Sequence, residues 1–351
     1  MKTAIVILNW NGKQHLEKYI PHVIEFTNLE QNELYVADNG STDNSLAFLR
    51  ANYPQVKLIE LDKNYGFAGG YNLALANIEA DIFCILNSDV RVSKKWLNSP
   101  LKTFAKHSEV AAIQPKILSD RDSSRFEHAG AAGGFIDKYG YPFCRGRIMN
   151  AIEYDTGQYN SQSDILWASG ACLFIRADMF KENGGFDADY FAHMEEIDLC
   201  WRLKNRGYRI VYCPKSKVYH YGGATLEYNN PQKLYLNFRN SLWTLYKNHS
   251  GKNLRLTMLS RMLIDTTAIA KYLVSFEFKN ANAIIKAHLA YYASKKELKK
   301  KREQLLKNVT HKYHPEILMG SIVFHFFIKS QKTFNELKKF RSITILNAKQ
   351  N

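Results

Sequence analysis

Four short apolar segments alternate with longer amphipathic segments in the N-terminal part of the chain. The apolar segments are AIVIL at 4–8, ELYVAD at 33–38, VKLIEL at 56–61 and DIFCIL at 81–86. Segments such as SLAFLRAN and GGYNLALANIEA lie between them and are long enough to form helices. Short apolar runs bounded by turn residues are typical of buried parallel strands. The pattern therefore predicts βαβ units and an α/β fold.

Two later apolar segments predict further strands on either side of a helix. ILWASGACLFIR at 165–176 and RIVYC at 209–213 have the length and apolar character of strands. The intervening helix is predicted over EEIDLCWRL at 195–203, whose apolar positions recur at helical spacing. The segment 119–163 is rich in Gly, Tyr and Arg without clear periodicity, so it predicts a long loop region over a ligand crevice.

The pattern changes from about Leu234, where amphipathic helical spacing replaces the alternation of strands and helices. One helical face is apolar at Leu259, Met262, Leu263, Ile269, Ala270, Leu273 and Val274. The apolar segment ILMGSIVFHFFI at 317–328 is too short for a spanning helix. We therefore predict two parts, a catalytic domain at 1–229 and a basic amphipathic helical region at 230–351.

Composition indicates a folded protein of a reducing compartment. With 351 residues and 46% hydrophobic content, the chain can bury a large core. Its five cysteines are odd in number, lack CxxC spacing and mostly lie in apolar runs, which predicts reduced core residues in a cytoplasmic protein. The N-terminal segment has only a short apolar run and no small-residue cleavage pattern, so it predicts a strand rather than a signal peptide.

Charge is distributed unevenly between the two predicted parts. Residues 230–351 carry 23 Lys and Arg against 6 Asp and Glu, whereas residues 1–229 carry 25 against 27. A strongly basic region points to a polyanionic surface, either anionic lipid or nucleic acid. Because no nucleic-acid-binding motif is recognisable, we expect peripheral attachment to the inner face of the cytoplasmic membrane and no nucleic-acid partner. Packing on the catalytic domain or on a second subunit of a homo-oligomer is the open alternative.

Polar side chains follow the predicted parallel strands. These are Asn9 and Asn11, then Asp38 and Asn39, and finally Asn87 and Asp89. Ligands of open α/β sheets bind in the crevice outside the carboxyl ends of the strands, so these side chains should gather around one site. The glycines of GFAGG at 66–70 allow a backbone to lie close to a ligand. Their spacing matches neither a phosphate-binding P-loop nor GxGxxG, which argues against an ATPase or a Rossmann dehydrogenase.

Seven motifs occur in an order that resembles a known family. They are VILNWNG, VADNGSTDNS, NYGFAGGYN, LNSDV, GGFDADYF, EEIDLCWRL and VYHYGG, and the resemblance spans about residues 3–223. The sequence resembles the inverting family-2 glycosyltransferases, particularly the bacterial rhamnosyltransferase-like branch that builds surface polysaccharides. The resemblance implies a GT-A fold, which is a Rossmann-like nucleotide-sugar-binding domain, here followed by the basic helical extension.

The resemblance also implies which residues hold the donor. It assigns nucleotide-sugar binding to Asn9, Asn11, Asp38, Asn64, Gly66, Gly69 and Asn87, with Asp38 directed toward the base. It assigns Asp89 and His220 to a divalent metal that bridges the donor phosphates. The motif reads Asn87-Ser88-Asp89, so an amide replaces its first carboxylate, which weakens metal binding. An imidazole ligand favours manganese over magnesium alone.

The acceptor side follows from the same resemblance. Glu196 matches the carboxylate that acts as base, although the family has aspartate there, and Glu195 is expected to orient the acceptor or a phosphate-loop residue. Helix spacing pairs Asp198 with Arg202 instead. Acceptor binding is predicted for Trp167 as a stacking platform, for Gly170 through its backbone, and for Phe186 and Asp187 at the acceptor entrance.

The resemblance thus implies an inverting, metal-dependent glycosyltransferase acting on a glycan or polyprenyl-linked acceptor in surface polysaccharide synthesis. Rhamnose from dTDP-rhamnose is one candidate donor sugar, while galactose, glucose, galactofuranose and N-acetylglucosamine, from dTDP- or UDP-linked donors, stay open. A catalytically silent module that binds sugar nucleotides is an alternative of another class. The amide at Asn87 favours that alternative. The presence of the metal-binding and base positions argues against it, since the chain has Asp89, His220 and Glu196 there.

Overall fold

The computed structural model of the chain describes residues 1–222 and 230–337. Its strands, in chain order, are β1 (Thr3–Asn9), β2 (Asn32–Asn39), β3 (Lys57–Leu61), β4 (Ile82–Asn87), β5 (Val90–Val92), β6 (Val110–Ser119), β7 (Gly134–Asp137), β8 (Pro142–Cys144), β9 (Arg147–Ile148), β10 (Ala151–Ile152), β11 (Ser163–Ile165), β12 (Cys172–Arg176), β13 (Arg209–His220) and β14 (Ile317–Leu318).

The α-helices are α1 (Lys13–Glu25), α2 (Ser45–Asn52), α3 (Gly66–Ala76), α4 (Asn98–Lys106), α5 (Ala177–Glu182), α6 (Glu195–Asn205), α7 (Pro231–Asn248), α8 (Leu254–Val274), α9 (Phe278–Ala293), α10 (Lys295–Leu306) and α11 (Ile322–Phe327). Two short 3₁₀ helices lie at Ala188–Tyr190 and Phe334–Glu336. The helical content beyond α7 confirms the predicted helical character of the C-terminal region.

Nine strands form the central sheet, eight of them in the order β11-β13-β6-β12-β4-β1-β2-β3, while β5 pairs with β13. The strands β4, β1, β2 and β3 are mutually parallel and are joined by helices. β12 lies antiparallel between β4 and β6. The four apolar runs at the start of the chain therefore form the predicted βαβ units, and the predicted α/β fold is confirmed.

Alternate residues of the buried strands pack on opposite faces of this sheet. Ala4 and Val6 of β1 belong to one apolar cluster, whereas Ile5 and Ile7 belong to the other. Side chains of successive strand residues point to opposite faces, so a strand covered on both sides must be apolar throughout. This double burial explains why the parallel strands read as continuous apolar runs.

Three sequence-based expectations about strands need correction. The segment 119–163 is not one long loop, because β7–β10 and β14 form a five-stranded second sheet in the order β10-β9-β8-β7-β14. These strands have two to four residues each, which is too short for alternation to be visible. The apolar run at 165–176 is interrupted between β11 and β12, and the strand predicted at 209–213 continues to His220.

The C-terminal helices share the core of the catalytic part. Leu242 and Leu245 of α7 and Phe326 of α11 lie in the same apolar cluster as Val6 and Phe83 of the central sheet. β14 also pairs in parallel with β7. The boundary predicted between residues 229 and 230 therefore does not separate two cores, because α7 is packed into the catalytic part.

The apolar segment at 317–328 contains β14, a turn and the short helix α11. Across 1–222 and 230–337, no helix combines the length and the apolar character that crossing a bilayer requires. The stretch predicted as too short to span is thus divided between a sheet and a helix.

Candidate active site

Polar side chains at the ends of β1, β2 and β4 lie together at one edge of the sheet. Asn9 of β1 is in register with Asp38 of β2, and Leu8 is in register with Asn87 of β4. The three strands are parallel, so their carboxyl ends meet there. The predicted gathering of polar strand ends is confirmed.

Asp38 is held by hydrogen bonds to both of its carboxylate oxygens. Asn9 Nδ2 donates to Oδ1 at 3.0 Å, and the backbone N–H of Ser41 donates to Oδ2 at 2.9 Å. Asn9 Nδ2 also lies 3.2 Å from Ser41 Oγ, whereas its buried Oδ1 has no hydrogen-bond partner within the described part of the chain. These bonds fix the position of the Asp38 carboxylate at the sheet edge. Its predicted hydrogen bond with the nucleobase of the donor remains a prediction.

Asn11 organises the loop that follows β2. Its backbone is left-handed, with φ of 51°, a conformation that Asn adopts more readily than most residues. Its side-chain oxygen accepts from the backbone N–H of Thr42 at 2.7 Å and of Asp43 at 3.2 Å. The structure therefore gives Asn11 a loop-ordering role beside the crevice.

Asn39 and Asn64 tie the end of β2 to the start of α3. Asn39 Nδ2 donates to Asn64 Oδ1 at 3.0 Å, and Asn64 Oδ1 also accepts from the backbone N–H of Gly66 at 2.8 Å. Asn39 Oδ1 accepts from the backbone N–H of Tyr65 at 3.0 Å. The motifs predict Asn64 as a donor-binding residue. The buried Asn39, which holds the side chain of Asn64, appears in the sequence only as a polar residue at a strand end.

The glycines of GFAGG lie in the first turns of α3 and pack against protein. Gly66 has φ of +72°, and a Cβ there would lie 2.4 Å from the backbone oxygen of Phe191. A Cβ at Gly69 would lie 3.2 Å from the Cβ of Tyr65. Close approach to the Phe191 segment accounts for the glycine at position 66, and binding of a nucleotide sugar by Gly66 and Gly69 stays a prediction.

Asp89 and His220 are in direct contact beside the ends of β4 and β13. Asp89 follows β4, His220 ends β13, and Asp89 Oδ1 lies 3.1 Å from His220 Nε2. Asn87 Nδ2 lies 3.5 Å from the same ring nitrogen. The sequence motifs predicted all three residues at one site, and the structure brings them together.

Glu127 is the acidic residue of this cluster that the sequence motifs did not identify. Its Oε2 lies 3.2 Å from Nδ1 of His220, so the imidazole stands between two carboxylates. Glu127 also accepts a short hydrogen bond from the backbone N–H of Ala129. It lies in the segment that was expected to be a loop, and its only signal was its place beside a His and a Gly-rich stretch.

The charges in this cluster depend on one another. Burial opposes ionisation of Asp89, but the facing His220 outweighs it and holds the carboxyl pKa below its ordinary value. Glu127 behaves in the same way, because His220 overcomes the effect of burial and lowers its pKa. For His220, burial favours the neutral ring, yet the two carboxylates raise its pKa well above the ordinary value.

Asp89 and His220 supply one carboxylate and one imidazole for a divalent cation. Within 1–222 and 230–337 no group of three or more His, Cys, Asp or Glu side chains has metal-holding geometry. An octahedral ion bound there would need its other ligands from phosphate oxygens and water, which is common for cations that bind nucleotides. This donor set therefore fits a nucleotide-bridging ion and not a cation held by protein alone.

Glu195 and Glu196 begin α6, as predicted, and neither forms an ion pair with a Lys, Arg or His side chain of residues 1–222 or 230–337. Glu195 is 3% exposed, and one oxygen of each carboxyl group is buried without a hydrogen-bond partner among the described residues. The segment before them is strained, with left-handed backbone at Phe191, His193 and Met194. Strained backbone of this kind is concentrated at functional sites.

The two glutamates differ in their electrostatic environment. Burial, and then the negative charge of Glu196, raise the pKa of Glu195 well above its ordinary value. Burial also raises the pKa of Glu196, but backbone N–H groups, including that of Gly170, stabilise its carboxylate. Neighbouring carboxylates at a buried site do not both ionise readily. The arrangement therefore opposes ionisation of both carboxyl groups at the same time.

Glu196 is close to the metal-side motif through the backbone at 170–171. Its carboxylate is stabilised by the backbone N–H of Gly170. The next residue, Ala171, accepts through its carbonyl oxygen from the backbone N–H of Asn87 at 3.0 Å. Gly170 is thus placed beside the candidate base, where its predicted backbone role is compatible with the structure.

Asp198 has the structural role that helix spacing predicted, although it is buried. Arg202 Nε donates to its Oδ2 at 2.9 Å. Its other oxygen receives Lys247 at 2.9 Å and Asn248 Nδ2 at 2.7 Å, both from α7. These partners outweigh burial and lower the pKa of Asp198. The third carboxylate of the motif is therefore neutralised within the protein.

Three of the predicted acceptor residues have other contacts. Trp167 is 4% exposed, and its indole packs on Gly134 and donates to the Phe135 carbonyl at 2.9 Å, so it offers no open face for stacking. Phe186 is buried in the core, and with Asp187 it borders a cleft beside α10, so its place at an acceptor entrance stays a prediction. Asp187 forms ion pairs with Lys247 at 2.6 Å and Lys301 at 2.7 Å, which fasten the C-terminal helices to the catalytic part.

Comparison with known proteins identifies relatives over most of the described fold. Residues 4–184 match the family described as Glycosyl transferase family 2. N-acetylglucosaminyl-diphospho-decaprenol L-rhamnosyltransferase of Mycobacterium tuberculosis is 26% identical over 263 residues, covering 70% of this chain and 85% of that relative. Rhamnosyltransferase WbbL of Escherichia coli is 27% identical over 164 residues, covering 45% of this chain and 61% of that relative.

Solved structures show the same fold at low sequence identity. The mannosyltransferase PcManGT from Pyrobaculum calidifontis, in complex with GDP-Man and Mn²⁺, aligns with a TM-score of 0.53 and 15% identity, covering 87% of this chain and 85% of that one. S. aureus TarS 1-349 in complex with UDP-GlcNAc aligns with a TM-score of 0.52 and 15% identity, covering 88% and 91%. The predicted GT-A fold is confirmed.

Proposed function

The chain belongs to glycosyl transferase family 2, and from this premise we propose that it transfers a sugar, with inversion, from a nucleotide-sugar donor to a glycan or lipid-linked glycan. The observation that carries the proposal is the pairing of two unlike sites at one crevice. Asp89 and His220 lie 3.1 Å apart and offer a carboxylate and an imidazole to a cation, while Glu196, which has no cationic partner among the described residues, is joined to the same motif through residues 170–171.

The donor lies along the edge formed by β1, β2 and β4 in this proposal. Asp38, fixed by Asn9, accepts from the base, while the amides of Asn11, Asn64 and Asn87 line the nucleotide and sugar. Asp89 and His220 would hold a divalent metal, manganese or magnesium, and a bound metal would supply positive charge to stabilise the leaving diphosphate. Glu127 holds the imidazole of His220 from its far side.

Glu196 acts as the general base in the proposed transfer. An acceptor hydroxyl gives its proton to the carboxylate while its oxygen forms a bond to the anomeric carbon. The bond from that carbon to the phosphate oxygen breaks on the opposite face, so the configuration inverts. Glu195, protonated in its buried position, donates to an acceptor or phosphate oxygen and does not compete for the proton.

The names of two relatives favour a particular donor sugar. Two of the relatives are named as rhamnosyltransferases, which favours rhamnose from dTDP-rhamnose. One of them is named for an acceptor with a diphospho-decaprenol group, which favours a lipid-linked acceptor. We further propose that the basic helices bring the enzyme to the inner face of the cytoplasmic membrane, where such an acceptor is presented.

A nucleotide-sugar screen tests this function. Thermal unfolding of the full chain is followed with dTDP-rhamnose and with UDP- and GDP-linked sugars, each with and without manganese, and donor hydrolysis is measured for those that bind. One donor should raise the unfolding temperature only with manganese, and Asp89→Ala should abolish this rise. Binding without hydrolysis or transfer would instead support a silent sugar-nucleotide module, and binding of no donor would contradict both.

A further inference from the structure

A cleft outside the donor crevice lies between α7 and α9. It has a volume of about 490 Å³, and its polar lining consists of Gln232 and Tyr235 from α7 and Lys279, Asn282 and Lys286 from α9. Among the residues that the structure describes, no acidic side chain lines the cleft and neither lysine has an ion-pair partner. Two unpaired cations beside amide and phenol donors form a lining suited to an anion with several oxygens.

An apolar stripe runs along α9 beside this basic lining. Lys279, Asn282 and Lys286 share one helical face, and the adjacent face carries Phe278, Ile285, Leu289 and Tyr292. Their exposed fractions are 59%, 43%, 63% and 56%, so this face is not covered by other described residues. One helix therefore presents a cationic face and an apolar face side by side.

Helix α7 connects the cleft to the segment that precedes the candidate base. Its first turns line the cleft through Gln232 and Tyr235. Farther along the same helix, the side-chain amide of Asn240 lies 2.7 Å from the carbonyl oxygen of His193, two residues before Glu195. One helix therefore contributes to the cleft and also holds the backbone before Glu195 and Glu196.

We infer that this cleft binds the phosphate or diphosphate head of an amphiphilic lipid, with the lipid chain lying along the apolar stripe of α9. The inference rests on the proposed function, because the amphiphile would be the lipid-linked acceptor. The two lysines attract an anionic head group. The exposed apolar stripe of α9 would be buried by an apolar lipid tail. A free phosphate compound would engage the lysines alone.

Binding of three probes to the full chain tests this inference. Farnesyl diphosphate carries both head and tail, whereas inorganic pyrophosphate and farnesol carry one each. Calorimetry should give farnesyl diphosphate at least about tenfold tighter binding than either partial probe. Equal affinity for farnesyl diphosphate and pyrophosphate would indicate a site for free phosphate compounds and would overturn the lipid assignment.

Paired lysine variants locate the site. Lys279→Ala with Lys286→Ala should weaken farnesyl diphosphate binding by at least about tenfold, because two charge-assisted contacts are lost. The control is Lys102→Ala with Lys106→Ala, which removes the same charge from the exposed side of α4. Equal weakening by the two pairs would show a general charge effect and overturn the inference.

Donor hydrolysis, measured in the same variants, separates this inference from the proposed function. Hydrolysis should be unchanged by the Lys279 and Lys286 substitutions while lipid binding is lost. If the wild-type protein hydrolyses a donor but does not bind farnesyl diphosphate, the lipid assignment of the cleft is overturned and the proposed transferase function is not. A concentration-dependent dimer that these substitutions dissociate would also overturn it, because a second copy would then occupy the cleft.

Discussion

Glu127 contacts the ring of His220, a candidate metal ligand, on the nitrogen opposite the one that faces Asp89. The imidazole has Asp89 at 3.1 Å from Nε2 and Glu127 at 3.2 Å from Nδ1. A carboxylate behind a ligating histidine fixes the orientation of its ring and makes it a stronger ligand. Glu127 is therefore a positioning residue for His220.

Glu127→Ala should weaken manganese binding by about 10- to 100-fold, the range for partners that orient a metal-binding histidine. Glu127→Gln retains an acceptor oxygen, so its manganese affinity should fall less than that of Glu127→Ala. Manganese titration followed by electron paramagnetic resonance, with a nucleoside diphosphate present, measures the affinity without turnover. Glu17→Ala, at an exposed glutamate of α1, is the control. Manganese affinity within twofold of wild type in Glu127→Ala would contradict the role.

The motifs predicted Asp89, His220 and the paired Asp198 because their residue types and spacing carry the chemistry. They could not predict Glu127, since its contact with His220 depends on the turn after β6, which returns along that strand so that the backbone N–H of Glu127 donates to the carbonyl oxygen of Ile117 at 3.1 Å. They also suggested acceptor contacts for Trp167 and Phe186, which are core residues in the structure. An aromatic residue has the same appearance in sequence whether it packs inside or binds a sugar.

At the scale of elements, α7 holds the strained segment that precedes the two glutamates. The side-chain amide of Asn240 lies 3.1, 2.9 and 2.7 Å from the carbonyl oxygens of Tyr190, Ala192 and His193. Arg239 donates to the carbonyl oxygen of Tyr190 at 3.0 Å. The first turn of α6 is therefore positioned by a helix from the C-terminal region.

Asn240→Ala should lower kcat for sugar transfer by at least about tenfold. The three backbone carbonyl groups would lose their hydrogen-bond donor, and the backbone before Glu195 would no longer be held in position. The KM for the donor should stay within about twofold, since the donor edge lies on other strands. Asn237→Ala, one turn earlier on α7, is the matched control. A fall in stability with kcat unchanged would show that Asn240 only supports folding.

The strand and helix pattern was predictable where elements are long and covered on both faces. The four parallel strands follow from their apolar runs, whereas the strands between 134 and 152 are too short for a period to emerge. Nothing in the sequence distinguishes Asn240 from other polar positions of an amphipathic helix. Its importance comes from the segment opposite it, which is distant in sequence.

At the scale of the whole molecule, the C-terminal region is both part of the core and a separate surface. Leu242 and Leu245 join the apolar cluster of the catalytic part. Farther along the chain, Leu259 and Leu263 of α8 and Phe276 beyond its end are exposed by 57%, 61% and 79%. Lys271 and Lys279 lie close to them in sequence and are exposed. This combination suits an interfacial contact with anionic lipid.

Leu263→Ser should reduce binding to anionic vesicles by about tenfold, because a leucine that enters the interface contributes about 1.5–3 kcal/mol. Flotation with vesicles containing phosphatidylglycerol, compared with phosphatidylcholine vesicles, measures this binding. Leu73→Ser, at an exposed leucine of α3, is the matched control and should bind as wild type does. Equal recovery of Leu263→Ser, Leu73→Ser and wild type would contradict the membrane contact.

Sugar transfer by Glu196→Gln tests the central claim most directly. With the donor found by the screen, transfer should fall by about 100- to 10,000-fold, the usual contribution of a general base, while the donor Kd stays within twofold of wild type. Glu182→Gln, at an exposed glutamate of α5, should transfer as wild type does. Transfer by Glu196→Gln within threefold of wild type would contradict the assignment of Glu196 as the base.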